Sequence, residues 1–514
     1  MNNHKKGNSR PLTHHRYDIP SICRMVRRAV KFWARKDLNL LSQLITSSAR
    51  LVMDPFCGSG TTGLSAIEKK RSAILSDLNP VCVFISSTIL SKATLDKDII
   101  NAMFEKCEEV ERDLYSINVN GRVLILEYAV WLSVFECPKC RNTVNPLNNK
   151  TRSGRALRCP RCGLTFYSVK SPHVEEIPLK IVARDSSQRR VVIDDKRVLK
   201  RYMEEEVSMI VNEWTPSGQF RYPGVGIEFW QQPHLVSDIQ ELFTKRNLRA
   251  VAQVYSEIER IWRDERAQGD ILKLAFIASL ASATKMIPHS PTSGPSWKLP
   301  RYWVPPLREE RNFCSAFMRR INILKQLKDI LARKVSSYRM EFLFKRAYPN
   351  INDDLFICTF RANALEALNA LPDKRIDLII LDPPHYDEIQ YFELTYLWQK
   401  WLEGKYKDGR FSDYSFWQQE MCINPKIGKS LEWYLGKLTV IMRCAFDKLS
   451  SRGALVLIIH HREPRVMELT LNEISSQLNR RPSIHYFPLR FSSTSGLHGK
   501  KKYLCVARFS VRTR

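Results

Sequence analysis

The sequence predicts an α/β protein with an open, doubly wound sheet whose two halves are separated by a long insertion. First, a buried strand at 51–54 leads through a Gly-rich loop into a helix and then a second strand at 72–77, which forms a β-loop-α-β unit. Second, strands and helices alternate again after residue 355. Third, 514 residues are too many for one ordinary core, so two or three domains are expected.

The segments before and inside the insertion have helical patterns. The first fifty residues combine a basic arm with apolar residues at helical spacing, so a helix is expected before the first strand. After residue 77 and a further helix, the strand pattern stops and two cysteine pairs follow; residues 195–345 are again helical and basic. Within them, 288–306 is rich in Pro, Ser and aromatic residues. Its tryptophans favour an ordered loop over a linker.

The second half of the sheet begins with three apolar strands, LFICTF, IDLIILD (376–382) and GALVLIIHH (453–461). Two more strand patterns end the chain, SIHYFPLR and KKYLCVARF, joined by a turn containing Ser and Gly. Two consecutive strands with a short connection predict a C-terminal antiparallel hairpin at one edge of the sheet.

The charge balance predicts a polyanionic partner. The chain has 81 Lys and Arg against 53 Asp and Glu, a net charge of +28, and such a chain attracts nucleic acid. An anionic membrane surface is the alternative, but no long basic amphipathic helix is evident and no apolar run could span a bilayer. The polar N-terminus lacks the apolar core of a signal peptide. We therefore expect a cytoplasmic protein with no membrane partner.

The loop DPFCGSGTTG at 54–63 predicts a ligand site. Gly58, Gly60 and Gly63 fit the pattern G-x-G-x-x-G, in which glycines allow close backbone approach and a sharp turn into a helix. Asp77 ends the second strand, where a carboxylate can accept hydrogen bonds from ribose hydroxyls. No Lys follows the glycines, which argues against a phosphate-binding loop. A nicotinamide cofactor and S-adenosylmethionine both fit, and the loop alone does not decide between them.

The second motif follows the strand at 376–382, which ends in Asp382 and continues with Pro383 and Pro384. Proline has no N–H to donate, so carbonyl groups are exposed at the carboxyl end of the strand, where open α/β sheets bind ligands. A carboxylate and a carbonyl can accept both N–H groups of an exocyclic base amine, which frees its lone pair for attack on a methyl group. A neighbouring aromatic side chain can stack on a base flipped out of the duplex.

The two motifs together resemble those of DNA amino-methyltransferases, D-P-F-x-G-x-G-T-T and [DNS]-P-P-[YFW]. The resemblance implies a Rossmann-like methyltransferase sheet and S-adenosylmethionine as cofactor. The cofactor-binding residues that it implies are Asp54, Pro55, Phe56, Gly58, Gly60, Thr61, Thr62, Asp77, Asn79 and Asn363. The catalytic residues that it implies are Asp382, Pro383, Pro384, His385 and Tyr386.

This sequence departs from the family pattern after the second proline. His385 stands at the aromatic position and Tyr386 follows it, so either ring is a candidate to stack on the base. Asn363 lies where the family has an acidic residue, and we expect it near the adenine of the cofactor. His460 and His461, at the end of the next strand, resemble a His-His pair of one branch of the family and are expected beside the site.

The paired cysteines predict a structural metal site. CPKC and CPRC give the spacing C-x2-C-x18-C-x2-C, and two such pairs complete a tetrahedral Zn²⁺ site without an open position for substrate. The expected ligands are Cys137, Cys140, Cys159 and Cys162. Two disulfides or two redox pairs are the alternatives. Basic residues surround the pairs, so the ribbon is expected either to touch nucleic acid or to brace the insertion.

The middle of the chain resembles DNA methylases that contain a zinc ribbon, and this implies a sheet split by the ribbon and a helical insertion. We expect the first half of the methyltransferase domain in 1–125, the ribbon in 126–175, a helical target-recognition insertion in 176–345, and the second half in 346–514. The order of the motifs in this family places target recognition in the insertion.

The resemblance implies a site-specific DNA methyltransferase acting on adenine N6 in preference to cytosine N4. A nucleoid location follows from such a substrate, and a restriction or defence partner is compatible with it. Two other functions stay open: methylation of RNA bases, and an inactive methyltransferase-fold protein that binds DNA.

Overall fold

The computed structural model describes residues 21–151, 156–167, 173–230, 236–290, 302–343, 351, 354–461, 463–489 and 502–511. The basic arm at 1–20, Trp297 and the turn between the last two strands lie outside these residues. The thirteen helices of the described part are α1 Ser21–Ala29, α2 Leu38–Leu44, α3 Thr61–Glu68, α4 Pro80–Leu90, α5 Lys97–Leu114, α6 Lys196–Ser208, α7 Lys245–Asp264, α8 Arg266–Ala283, α9 Phe313–Lys334, α10 Ala364–Asn369, α11 Tyr391–Glu403, α12 Leu431–Lys448 and α13 Pro464–Leu478.

The strands form three sheets. They are β1 Leu51–Asp54, β2 Ser72–Asp77, β3 Ser116–Val119, β4 Arg122–Glu136, β5 Thr143–Val144, β6 Leu157–Arg158, β7 Thr165–Phe166, β8 His173–Arg184, β9 Arg190–Ile193, β10 Leu307–Arg311, β11 Arg339–Leu343, β12 Phe356–Arg361, β13 Ile376–Leu381, β14 Leu449–His460, β15 Ser483–Leu489 and β16 Lys502–Ser510. The mixed α/β class predicted from the sequence is confirmed.

The largest sheet has eight strands in the order β11-β12-β2-β1-β13-β14-β16-β15. Neighbouring strands from β11 to β14 are parallel, whereas β16 runs antiparallel to both β14 and β15. The two final strands therefore pair at one edge, as the sequence predicts. The chain leaves β1 toward β2 on one side and returns as β13 on the other, which makes the β1–β13 boundary the topological switch point.

Residues of the central strands alternate between two hydrophobic cores. Val52 and Leu378 face a core that contains α3, α4 and the helices of the insertion, while Met53 and Ile379 face a core with α10, α12 and α13. Successive side chains of a strand point to opposite faces, and helices cover both faces of this sheet. Every apolar position of these strands is therefore buried, which explains the continuous apolar runs LVMD and IDLIIL. Helix packing on both faces leaves the carboxyl ends of the strands as the open edge.

The segment between β2 and β11 contains a second sheet that the sequence analysis did not predict. Its strands follow the order β10-β4-β8-β9, and β3 and β5 pair with β4. β4 is a 15-residue strand rich in β-branched and aromatic residues, which was a strand signal. Most of its second half is buried on both faces, so the alternation that marks a half-buried strand is missing. Helices α6 to α9 lie where helical patterns were expected.

The irregular stretch after α8 is ordered where the structure describes it. The Tyr302 hydroxyl is buried and donates a hydrogen bond to the Glu393 carbonyl at 2.8 Å, which fastens this stretch to α11. Among the described helices, none combines the length and the apolar character needed to cross a membrane.

Candidate active site

The Gly-rich loop after β1 is held in shape by the carboxylate of Asp77. Asp77 Oδ2 accepts a hydrogen bond from the Gly58 N–H and Oδ1 accepts one from the Asn79 N–H, both at 2.9 Å. Gly58 and Gly60 have φ angles of +49° and +79°, a region that disfavours side chains. A Cβ on Gly60 would lie 2.9 Å from the Ser86 Cβ. The loop thus passes close to α4 because these residues are glycines.

Asp54 stabilises the same loop from the other end. Its carboxylate accepts hydrogen bonds from the Thr62 hydroxyl and from the Phe56 N–H. Burial raises the pKa of Asp54 to about 7, although these two hydrogen bonds oppose the shift. Burial likewise raises the pKa of Asp77 to about 6. Both carboxyl groups therefore lie in an environment that penalises charge, and a donor-rich ligand would relieve that penalty.

A cavity of ≈ 420 Å³ opens where β1, β2 and β13 end, a volume typical of small-molecule sites. It brings together both motifs. The expected site residues that line it are Asp54, Pro55, Phe56, Gly58, Thr61, Thr62, Asp77, Asn79, Asn363, Asp382 and Pro384. Gly60, Pro383, His385 and Tyr386 do not line it. Two segments that are far apart in sequence thus meet at the switch point of the sheet.

Asp382 forms an ion pair with Lys36, and the same lysine reaches His385. Lys36 Nζ lies 2.9 Å from Asp382 Oδ1 and 2.9 Å from His385 Nε2, and the two acceptor atoms are 3.6 Å apart. Burial raises the pKa of Asp382, while the ammonium group of Lys36 lowers it. Burial, Lys36 and His460 all hold the pKa of His385 well below its ordinary value. His385 is therefore neutral at pH 7.

Tyr386 is placed away from the cavity, in the core beside α12 and α13. Its hydroxyl is 2.7 Å from Thr470 Oγ1, and its ring packs against Tyr434 and the edge of His461. The backbone at Tyr386 has a φ of +52°, which turns the chain after the prolines. The structure therefore does not bring Tyr386 to where a base would stack on it.

The two proline carbonyls differ in their hydrogen bonding. The Pro384 carbonyl accepts hydrogen bonds from the Tyr434 hydroxyl at 2.8 Å and from the Tyr386 N–H at 3.1 Å. Among the described residues, no hydrogen bond ends on the Pro383 carbonyl. The Pro383 carbonyl is thus an acceptor without a partner among these residues, although Pro383 is buried and does not line the cavity, whereas Pro384 holds the motif in place.

The two asparagines expected near the cofactor also cap helices. Asn79 Oδ1 accepts a hydrogen bond from the Val81 N–H, and its Nδ2 donates to Thr395 Oγ1 at 2.8 Å. Asn363 Oδ1 accepts one from the Glu366 N–H at 2.9 Å. Both side chains are N-caps at the cavity wall, so their amides shape the pocket.

Residues 2–86 match the model of the N6/N4 methyltransferase family, which is described as DNA methylase. The match supports the N6/N4 DNA methyltransferase family. It covers the Gly-rich loop and Asp77 and ends far before Asp382. No curated protein and no solved structure matches the chain. A DNA methylase family implies DNA as substrate and S-adenosylmethionine as methyl donor, and the part of the chain that carries the family match forms half of the cavity wall.

The connection between α1 and α2 contributes a wall of this cavity that the sequence analysis missed. Its residues at the cavity are Phe32, Trp33, Ala34, Arg35 and Lys36. Arg35 Nε donates a hydrogen bond to Ser59 Oγ at 2.8 Å, and the Phe32 ring stacks on Tyr391 with centroids 6.0 Å apart. The only sequence signal for this wall is the aromatic pair Phe32 and Trp33 in a basic stretch. Packing of a helix against the core would explain the same pair.

The four cysteines expected to bind zinc form one cluster. Their sulfur atoms all lie within 4.8 Å of one another, with 3.6 Å between Cys137 and Cys162 and 3.5 Å between Cys140 and Cys159. Four thiolates at these spacings fit a tetrahedral Zn²⁺ site. Each pair is a tight turn: the Arg141 N–H bonds the Cys137 carbonyl and the Gly163 N–H bonds the Cys159 carbonyl. A cluster of this kind is compatible with zinc.

The cysteine cluster belongs to a small ribbon with its own core. Phe135, Val144, Leu157 and Phe166 pack with the cysteines in a hydrophobic cluster separate from the two large cores. Within the described residues, β6 pairs with β7, and β5 pairs with the end of β4. Residues 137–167 contain seven Lys and Arg and no Asp or Glu. The ribbon is thus a basic module at the end of the long strand β4.

Proposed function

We propose that this protein is a site-specific DNA methyltransferase that transfers a methyl group from S-adenosylmethionine to an exocyclic amine of a flipped base, adenine N6 in preference to cytosine N4. The observation that carries this proposal is the shared cavity: Asp77 and the Gly-rich loop line one side, and Asp382 lines the other. When a cofactor site and an amine-binding motif share one cavity, the cofactor and the amine are held close enough to react with each other. This favours group transfer over simple binding.

The sheet supports a Rossmann-like methyltransferase arrangement. Its first two strands come from the segment before the ribbon, β11 comes from the last residues of the insertion, and the other five strands come from the segment after it. The antiparallel strand β16 lies between β14 and the edge strand β15. The insertion follows β2 in the chain. In the sheet it does not separate β1 from β13, the two strands that meet at the switch point. We assign the chain to the zinc-ribbon branch of the family on the basis of the cysteine cluster.

The cavity fits S-adenosylmethionine by the chemistry of its walls. Asp77 uses each oxygen for one backbone N–H, and a carboxylate oxygen accepts more than one hydrogen bond, so it can also accept from ribose hydroxyls. The glycine backbone permits close approach, and Phe56 adds an apolar surface. When bound, the cofactor supplies an electrophilic methyl group.

Asp382 and the Pro383 carbonyl are the groups that we propose hold the target amine. Both are acceptors at the end of β13, and the amine has two N–H groups to donate. Accepting both hydrogen bonds draws the nitrogen lone pair out of conjugation with the ring. Holding this geometry accounts for most of the rate enhancement that such a site can provide. Adenine and cytosine amines both satisfy this pattern.

The basic ribbon, in residues 126–175, is our proposed contact for the DNA backbone, next to a target-recognition insertion formed by residues 176–345. Its positive charge is not balanced by acidic residues in 137–167, and Lys139, Arg141, Arg158 and Arg161 are exposed. Positive side chains that neutralise phosphates supply affinity without sequence specificity. The alternative role, bracing the insertion, is less favoured because the ribbon has a small hydrophobic core of its own, separate from the two large cores.

The test is methyl transfer by the purified protein, with radiolabelled S-adenosylmethionine and either duplex DNA or total RNA. We expect label in DNA and none with Asp382→Ala, which removes the side-chain oxygens that accept the hydrogen bond from the target amine. Label in RNA alone would move the protein to RNA modification. Cofactor and DNA binding without transfer to either polymer would favour the inactive DNA-binding protein. A restriction or defence partner remains a prediction that co-purification can examine.

A further inference from the structure

One nitrogen atom in the site is contacted by two acceptors at once. Lys36 Nζ lies 2.9 Å from both Asp382 Oδ1 and His385 Nε2. The Lys36 side chain is only 9 % exposed and that of Asp382 is 20 % exposed, so this is a contact inside the site. The positions of these atoms define a point where a nitrogen that carries hydrogens is bound.

The ammonium group of Lys36 resembles the proposed target amine because both donate hydrogen bonds from nitrogen. Lys36 itself lines the cavity, and His385 touches Lys36 without lining the cavity. Moving the lysine away would therefore expose His385 Nε2 and Asp382 Oδ1 together.

The imidazole of His385 is arranged to accept a hydrogen bond through Nε2. Because Lys36 can only donate, Nε2 must be the unprotonated nitrogen and the ring proton lies on Nδ1. Nδ1 is buried and has no hydrogen-bond partner among the described residues. Burial, Lys36 and His460 keep the pKa of the ring low, while His460 is itself held by Glu388 at 3.1 Å. A neutral, buried acceptor is an unusual replacement for a stacking ring.

We propose that His385 is a catalytic proton acceptor for the target amine, and that Lys36 occupies the position of this amine until the target base displaces it. The amine nitrogen forms a bond to the methyl carbon while the carbon–sulfur bond breaks and sulfur keeps the electron pair. The methylated nitrogen is then cationic with two protons, and it releases to His385 Nε2 the proton that was donated to the Pro383 carbonyl, while the other proton stays on the nitrogen and remains hydrogen-bonded to Asp382. This role rests on the proposed methyl transfer, and it explains why histidine stands where the family has an aromatic residue.

Substitutions at position 385 separate proton acceptance from stacking. His385→Phe and His385→Tyr keep an aromatic ring and remove the basic ring nitrogen, so we expect the single-turnover transfer rate to fall by about 10²–10⁴. His385→Gln keeps a hydrogen-bond acceptor near the Nε2 position, but its amide takes up no proton, so we expect a similar fall. Full activity of the Phe and Tyr variants would show stacking, and full activity of the Gln variant would show hydrogen bonding without proton transfer; either result would overturn the proposal.

Two controls keep this result interpretable. His385→Asn places its amide near the Nδ1 position, and we expect it to resemble the Phe variant. Cofactor binding, measured by calorimetry, should stay within about twofold of the wild type in every variant, since His385 does not line the cofactor cavity. A variant that loses cofactor binding, or whose circular-dichroism spectrum shows that it is unfolded, is left out, and the activities of the remaining variants are compared.

A measurement without turnover tests the site separately from the proposed function. Nitrogen NMR of ¹⁵N-histidine-labelled protein reports which ring nitrogen carries the proton, and the His385 resonance is assigned with the Gln variant. We expect an unprotonated Nε2 in the free protein and a changed Nε2 shift in Lys36→Met. A proton on Nε2 would overturn the proposal even if the wild type methylates DNA. Absent methyl transfer with an unprotonated Nε2 would instead count against the proposed function.

Discussion

Lys36 and Asp382 form an ion pair within the cavity at the carboxyl ends of the strands, with 2.9 Å between Lys36 Nζ and Asp382 Oδ1. Lys36 comes from the connection between α1 and α2, whereas Asp382 follows β13. Burial raises the pKa of Asp382, and this lysine is the group that opposes the shift. The other ionisable groups near Asp382 in the described part of the chain are His385, Asp54, Tyr391 and Tyr434. The ion pair therefore favours the ionised form of Asp382 in the free protein.

Lys36→Met should shift the acidic limb of the pH profile of kcat/KM to higher pH. Without Lys36 the pKa of Asp382 rises further, so the ionised form that accepts the amine is lost earlier as the pH falls. The pH profile of kcat should move much less, because it reports the complex, from which Lys36 has already withdrawn. Lys437→Met is the matched control, since Lys437 lines the cavity and the described residues show no ion pair between it and Asp382. Equal shifts in both profiles would contradict withdrawal.

Gly60→Ala should destabilise the protein more than Gly121→Ala does. The two glycines have similar φ angles, +79° and +77°, but a Cβ at 60 meets Ser86 at 2.9 Å and one at 121 meets nothing within 4 Å. The cost of placing Ala at a positive φ is therefore common to both variants. The difference between their losses in unfolding free energy measures the close packing of residue 60 against α4. We expect Gly60→Ala to lower the free energy of unfolding by about 1–3 kcal/mol more. Equal losses in urea denaturation would show that the loop does not need this close approach.

Replacing Cys159 and Cys162 by Ser should release the metal and unfold the ribbon. Metal analysis should fall from about one zinc per chain to near zero, because two thiolates do not complete a tetrahedral site. The main thermal transition should persist, since the ribbon core is separate from the two large cores. Cys444→Ser, outside the cluster, is the control and should retain zinc. A purified wild-type protein that contains no zinc yet has a folded ribbon would refute a structural metal.

Neutralising the ribbon should weaken DNA binding and reduce its salt dependence. We expect the combined Gln variant of Lys139, Arg141, Arg158 and Arg161 to make the slope of log K against log salt about 3–4 units less negative if all four contact phosphates. The control variant changes Lys69, Lys97, Arg112 and Lys374 to Gln; these residues are exposed and lie outside the proposed insertion. Equal effects of the two variants would show that only net charge matters.

The meeting of the two motifs was predictable from the sequence because both follow buried parallel strands. Asp54 ends β1 and Asp382 follows β13, and the carboxyl ends of parallel strands share one edge of a sheet. The cysteine cluster was predictable for a similar reason, since two C-x2-C turns each aim two sulfurs at one point. In both cases a local backbone rule fixes where the side chain goes.

Other parts of the site depend on long-range packing that no local pattern reveals. Lys36 lies in a basic stretch where lysine is common, and only the folded chain brings it to Asp382. Tyr386 and His385 are adjacent candidates in sequence, yet the positive φ at Tyr386 sends that ring into the core. The strand β4 loses its alternation because both of its faces are covered. Tertiary burial, rather than residue type, decided each of these outcomes.

The most direct test of methyl transfer to DNA is mass spectrometry of nucleosides from cells that express the wild type or Asp382→Ala. DNA and RNA from the same cultures are digested, and cofactor binding by the purified variant confirms that it is folded. We predict N6-methyladenine in DNA with the wild type and none above background with the variant; N4-methylcytosine with the same dependence would change only the target base. Equal methylation with both proteins, or a methyl mark confined to RNA, would contradict a DNA methyltransferase that acts through Asp382.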